Sequence, residues 1–246
     1  MVESVTAKFA LTAVLLLAAL FSNRSVAASD DPRGDALARW TFASSGVVDS
    51  NNALEPVGQV EFVDLTGREK AASVARGGTG WIARLQGGHL DAGPHLNLTG
   101  DAATVYLRAR NTSGTWEGGL FNKRGSHEIT NFNLFAADGR IGGEFHGEAL
   151  ALGSVAFPSQ GTMGSDWHDL VLRYDGQAIE IFCDGSRLAA VPWVGGKLTQ
   201  NDERLLIGAE SVGGAVARPF KGDIAEAALW SRALGDEEIA ALSSPR

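Results

Sequence analysis

Glycine punctuates this chain at close intervals: it occurs 31 times in 246 residues and recurs in pairs at Gly77-Gly78, Gly87-Gly88, Gly118-Gly119, Gly142-Gly143, Gly195-Gly196 and Gly213-Gly214. Breaks at this spacing leave room for short extended segments and little for helices. Between them run segments that alternate polar and apolar residues with period two: Ala103 to Arg110, Gly119 to Lys123, Asn131 to Ala136, Arg140 to His146, Asp169 to Tyr174, Ala178 to Cys183 and Leu205 to Ala209. That period belongs to strands with one face in a core. Asp138-Gly139, Asp175-Gly176 and Asp184-Gly185 each separate two such runs and supply the positive-φ residues of tight hairpins. The pattern predicts an all-β chain, a sandwich of two antiparallel sheets. A helical pattern of useful length emerges only at Asp236, entered from Gly235, with Asp236, Glu237 and Glu238 where the helix dipole favours negative charge. Ile239 and Leu242 then face the sandwich.

The first residues follow another rule. Lys8 precedes a small and apolar run from Ala10 to Phe21, and Asn23-Arg24 then gives way to the small residues Ser25 to Ala28. Residues 1–28 read as a secretory signal peptide, because the run is shorter than the roughly 20 residues that span a bilayer. No later segment is apolar over such a length, so no membrane span is expected after cleavage. Residues 29–35 read as a linker, 36–242 as one domain, and 243–246 as a tail of the kind that also begins an interdomain linker. The expected location is secreted, extracellular or periplasmic. A formal charge of −8 argues against a nucleic-acid or anionic-membrane partner, since both need clustered Lys and Arg. The single cysteine, Cys183, permits no internal disulfide, so the core alone must hold the domain. It shares an alternating face with Ile179 and Ile181, which predicts a buried, unreactive thiol.

Catalytic patterns are missing. Glu144 with Glu148 and Glu180 with Asp184 are four apart, but no strand carries the alternating acids of a glycan-cleaving site. There is no Gly-x-Ser-x-Gly elbow, no histidine spacing suited to zinc and no phosphate loop. What remains is a surface. Taking the strands from Ala103 to His146 as neighbours, one alternating set reads Tyr106, Arg108, Arg110, Asn122, Arg124, Asn131, Asn133, Glu144 and His146. Amides, guanidiniums, a carboxylate and an imidazole donate and accept in fixed directions, as sugar hydroxyls require. The opposite set, Val105, Leu107, Leu120, Phe132, Leu134 and Phe145, is core, although Phe121 and Phe135 break the alternation. Trp116 is the expected aromatic platform, with Trp193 and Trp81 behind it, while Trp40, Trp167 and Trp230 are expected in the core. The candidate ligand residues are therefore Trp116, Arg108, Arg124, Asn131, Asn133, Glu144 and His146, with no catalytic residue.

The closing segment from Gly222 to Ile239, together with Trp167-His168, Tyr174-Asp175-Gly176, Asp184-Gly185 and the opening Ala38-Arg39-Trp40-Thr41-Phe42, resembles the laminin-G-like, concanavalin A-like lectin-glucanase family. The resemblance implies a jelly-roll β-sandwich with a short C-terminal helix. It implies a secreted, non-catalytic carbohydrate-binding module that brings an appended or associated glycoside hydrolase to a polysaccharide. A protein-protein adhesion module at the cell surface is the alternative reading, and a glucanase-type hydrolase a third. Family members often hold a structural calcium, which points here to Asp49, Asp223 and Glu226. The chain departs from the family pattern at Ala225-Glu226, where an Asp-Glu pair is usual, and at Asp169, where a second histidine is usual. Losing one charged ligand weakens a calcium site without abolishing it.

Overall fold

The computed structural model describes residues 31–48, 52–126, 128–159 and 163–244, so the expected signal peptide lies outside the described residues. A 3-10 turn (Pro32–Asp35) leads into β1 (Ala38–Ala43), β2 (Gly46–Val48), β3 (Glu55–Val57), β4 (Val60–Asp64), helix α1 (Gly67–Ala75), β5 (Trp81–Gln86) and β6 (His89–Asp91). Five longer strands follow: β7 (Ala103–Asn111), β8 (Gly118–Arg124), β9 (Thr130–Ala137), β10 (Arg140–His146) and β11 (Leu152–Pro158). The chain ends with β12 (His168–Tyr174), β13 (Ala178–Cys183), β14 (Ser186–Pro192), β15 (Leu205–Ile207), β16 (Glu210–Val212), β17 (Ala215–Ala217), β18 (Lys221–Trp230) and helix α2 (Asp236–Ser243).

These strands form two antiparallel sheets and one hairpin. The nine-stranded sheet runs β14-β13-β12-β7-β18, and the far edge of β18 is shared by β1 with β2 and by β5 with β4. The seven-stranded sheet runs β11-β10-β9-β8-β15-β6-β3, and β16 pairs with β17 alone. The expected all-β sandwich is present, with two differences. First, β7 and β8 follow each other in the chain but belong to opposite sheets, β7 between β12 and β18 and β8 between β9 and β15. Second, α1 occupies a stretch with no helical signature, because Arg68-Glu69-Lys70 is charged and only Ser73 of this helix is buried.

The turns follow the sequence. Asp138 and Gly139 have φ of 53° and 69°, and Asp184 and Gly185 of 52° and 79°, so both two-residue loops put both central residues in the left-handed region and match the twist of their strands. The core between the sheets is built from inward residues of both, among them Trp40, Phe121, Phe132, Phe145, Leu172, Tyr174 and Leu229. A second cluster, Tyr106, Val171, Phe182, Trp230, Leu234, Ile239 and Leu242, lies under α2 on the outer side of the nine-stranded sheet, as the spacing of Ile239 and Leu242 predicts. Residues 32–35, expected as linker, belong to this layer: Arg33 is buried, and Trp230 Nε1 donates to the Pro32 carbonyl at 2.7 Å.

Candidate ligand-binding face

The division of β7 from β8 splits the expected binding surface in two. Arg108 is on the outer side of the nine-stranded sheet, where its Nη1 donates to Asp169 at 2.9 Å. Asp169 also accepts from the Tyr106 hydroxyl at 2.8 Å and from Arg76 Nη1 at 2.8 Å. Burial, with the Asp169 and Glu226 charges, pushes the Tyr106 phenol well above its usual value, so it stays a donor. The guanidiniums of Arg108 and Arg110 lie 5.6 and 4.8 Å from the Trp167 ring, which is half-buried against them and outside the main core. A cavity of about 210 Å³ separates this layer from α1, with Arg108 and Trp167 in its wall.

Asp223 and Glu226 occupy the same layer and do not fit a calcium site. Both are buried, and each is taken up by two guanidiniums: Asp223 by Arg84 Nε and Arg110 Nε, both at 2.9 Å, and Glu226 by Arg33 Nε at 2.9 Å and Arg39 Nε at 2.6 Å. Four cations in contact with these carboxylates repel a divalent ion and occupy the lone pairs it needs. Asp49, the third expected ligand, lies outside the described residues.

Trp116 is corrected as well. It is 4% exposed, stacks on Phe220 with ring centroids 5.5 Å apart, and donates from Nε1 to the Gly164 carbonyl at 3.0 Å. It is a core residue. Trp193, expected behind it at the surface, is also buried.

The remaining expected residues do converge, on the outer side of the seven-stranded sheet. The ladders set Glu144 beside Asn133 and Asn133 beside Asn122, so alternation aims all three away from the core. Asn133 Nδ2 donates to Glu144 Oε2 at 2.9 Å and to Glu210 Oε1 at 3.3 Å. Arg124 Nη1 reaches Glu144 Oε2 at 3.5 Å and also donates to Glu210 Oε1. Arg218 Nη1 closes on the second Glu210 oxygen at 2.9 Å. Two guanidiniums thus balance two carboxylates in a buried cluster. Asn122 Oδ1, Asn133 Oδ1 and Arg124 Nε in this cluster are buried with no partner among the described residues. Native proteins leave few such atoms unpaired, because each costs about 1–3 kcal/mol.

Glu210, which completes the cluster, carries no signal as a ligand residue in the sequence. It comes from the β16–β17 hairpin, laid over β8: Gly213 N–H donates to the Gly125 carbonyl at 2.7 Å. Gly119 allows this, since a Cβ there would overlap the backbone of Ala209 and Glu210. Val212 and Val216, both more than half exposed, form the outer side of the hairpin.

Asn131 and His146 lie on the same face but serve the structure. Asn131 accepts from the Leu98 N–H and donates to the Leu98 and Thr199 carbonyls, all at 2.9 Å, which uses its whole amide to clamp two loops. His146 Nδ1 is 3.0 Å from Thr199 Oγ1, at the border of the cluster.

The aromatic group of this face is Phe135. It pairs with Gly142 across the β9–β10 ladder, and a Cβ on Gly142 would overlap the Phe135 Cζ and both Cε atoms. The tip of the ring therefore lies close over Gly142, and the side chain is half-buried beside the exposed Ser154 and Ala156 of β11. A glycine inside a strand often marks such a close approach. The half-buried Phe135 ring thus lies beside a buried, charge-balanced cluster of Asn133, Arg124, Glu144 and Glu210.

Among curated protein sequences no match was found. Several solved structures share the fold. The binding domain of botulinum neurotoxin serotype D superposes with a TM-score of 0.61 at 11% identity, over 85% of this chain and 50% of that one. Domain 4 of AbnA, a GH43 extracellular arabinanase from Geobacillus stearothermophilus, in complex with arabinotriose, gives 0.59 at 14% identity, over 85% of this chain and 98% of that one. The K499G mutant of NanB sialidase from Streptococcus pneumoniae gives 0.51 at 18%, over 65% of this chain and 27% of that one. At these identities the likeness is one of fold. The match to a family model over residues 85–240 goes further: the chain belongs to the concanavalin A-like lectin/glucanases superfamily, in its laminin-G-like branch.

Proposed function

We propose that this protein is a secreted, non-catalytic carbohydrate-binding module, and that glycan binds the outer face of the seven-stranded sheet across Phe135. The observation that carries the reading is the placement of an outward aromatic ring beside a buried cluster with unpartnered polar atoms. A sugar ring offers an apolar face to Phe135 and hydroxyls to Glu144 and Arg124, whose side chains keep 8% exposure at the border of the cluster. Structures of the same fold support it: one contains arabinotriose, within an arabinanase, and another is the binding domain of a neurotoxin. Binding through so small a face is weak for one site, and its use is proximity, raising the local concentration of an appended or associated glycoside hydrolase at a polymer. The test is a glycan array probed with the parent protein and with Phe135→Ala. Binding to one glycan class that the variant loses supports the reading; equal binding by both removes Phe135 from it.

A second reading, a glucanase-type hydrolase, has one observation in its favour. Glu144 and Glu210 accept from the same Asn133 Nδ2, at 2.9 and 3.3 Å, so the two carboxylates are neighbours, as in a retaining glycosidase where they stand about 5–5.5 Å apart. Against it, Arg124 contacts both carboxylates and Arg218 takes the second Glu210 oxygen, so both acids are engaged in ion pairs within the protein. Release of reducing ends from a bound polysaccharide, abolished in Glu144→Gln, would establish this reading in place of the first.

A further inference from the structure

We infer that Cys183, His168 and Asp184 form a binding site for a divalent cation of the zinc class, on the edge of the sandwich away from the glycan face. His168 opens β12, Cys183 closes β13, and Asp184 begins the tight turn after it. Cys183 Sγ lies 3.6 Å from His168 Nδ1 and 3.6 Å from Asp184 Oδ2, and Nδ1 and Oδ2 are 2.8 Å apart. With zinc–sulfur bonds of about 2.3 Å and zinc–nitrogen or zinc–oxygen bonds of about 2.0–2.1 Å, tetrahedral edges are about 3.6 Å for sulfur to nitrogen or oxygen and about 3.3 Å for nitrogen to oxygen. Two of the three edges already have that length. The third opens by about half an ångström, over which the partly exposed Asp184 side chain can move.

The surroundings favour ligation. Asp184 Oδ1 accepts the Asp169 N–H at 2.9 Å, which turns Oδ2 toward the thiol and the imidazole, the outer-shell orientation that metal sites depend on. The Asp184 carboxylate beside the thiol attracts a cation, which takes the thiol proton's place. One thiolate and one carboxylate neutralise a divalent ion, and the released thiol proton goes to solvent. Thiolate and imidazole suit zinc or copper and not calcium or magnesium, which sets this site apart from the expected calcium ligands. Three protein ligands leave the fourth position to water.

The test uses tag-free full-length protein freed of metal by chelator, titrated with zinc chloride and, separately, with cobalt chloride. The expected result is one saturable equivalent of each metal and a thiolate-to-cobalt charge-transfer band. Cys183→Ser is expected to lose the band. Asp184→Asn, whose asparagine tolerates the positive φ, is expected to weaken zinc binding by more than the about tenfold that disturbing even an outer-shell partner costs. No saturable zinc or cobalt binding by the parent protein, or cobalt binding with no thiolate band, would overturn the site. The cobalt titration of the parent needs no variant, so it stands even if Cys183→Ser fails to fold.

Discussion

Removing the Phe135 ring is the sharpest perturbation of the glycan face. The ring is half-buried on the outside of the sheet, so a pyranose or furanose laid on its free side withdraws about 40 Å² from each partner, worth about 2 kcal/mol at about 25 cal/mol per Å². Phe135→Ala is therefore expected to weaken binding about 30-fold, a difference of about 2 kcal/mol. Isothermal titration with the tightest soluble ligand found on an array reads this directly. The fold should survive, since Phe135 is not a core residue and its loss costs stability of about 1 kcal/mol in urea unfolding. Gly142→Ala is the companion variant: its Cβ enters the space of the Phe135 ring and lifts it from the sheet without altering a polar group. It is expected to lose a similar share of affinity, with the about 1–3 kcal/mol destabilisation usual for overpacking. Affinity within twofold of the parent in both variants, with both folded, would refute the platform.

Other consequences concern stability. Trp116→Ala and Trp230→Ala are each expected to destabilise by about 3–5 kcal/mol in denaturant unfolding, as loss of a core aromatic does; a folded and stable Trp116→Ala would return that ring to the surface. Asp169→Asn leaves Arg108, Arg76 and Tyr106 with a weakened acceptor and is expected to cost about 3–5 kcal/mol, the range for breaking a buried ion pair. Lys123 is buried, donating to the Pro94 carbonyl at 2.7 Å and to that of Glu203, and burial pushes its ammonium down to about 8. Above that value and below about 10.4 the unfolded chain binds the extra proton, so stability rises with pH. From pH 7 to pH 9.5 the parent is expected to gain about 2 kcal/mol relative to Lys123→Met; parallel profiles for the two would show that the amine titrates normally.

The fold was legible because its signals are local. Asp138-Gly139 and Asp184-Gly185 name their hairpins, and period-two runs name the strands they join. Which sheet a strand enters is not local. Tyr106, Arg108 and Arg110 alternate correctly within β7, but the chain crosses the sandwich before β8, so the residues face outward on the wrong side. Helix α1 was invisible because it covers a charged layer, where Arg110 Nη1 donates to Glu69 at 2.6 Å, and needs no apolar stripe. Trp116 follows Thr112-Ser113-Gly114-Thr115 and looks like a loop tip, yet its ring turns inward onto Phe220.

At the site, Asn133, Glu144 and Arg124 were readable from alternation alone, while Glu210 arrives from a hairpin far along the chain. Phe135 broke the pattern of its strand for a physical reason that Gly142-Gly143 encodes. Gly142 makes room outside for Phe135, and Gly143 makes room inside for Leu172. A paired glycine within a strand was the available signal, and it marks two close approaches on opposite faces.

The central claim is that glycan binds across Phe135, on the outer face of the seven-stranded sheet. The most direct measurement is a broad glycan array probed with three proteins: the parent, Phe135→Ala, and Arg68→Ala, whose exposed side chain borders the cavity on the opposite side. The account predicts one glycan class bound by the parent and by Arg68→Ala and lost by Phe135→Ala. A blank array for the parent, or binding that Arg68→Ala loses and Phe135→Ala keeps, would contradict it.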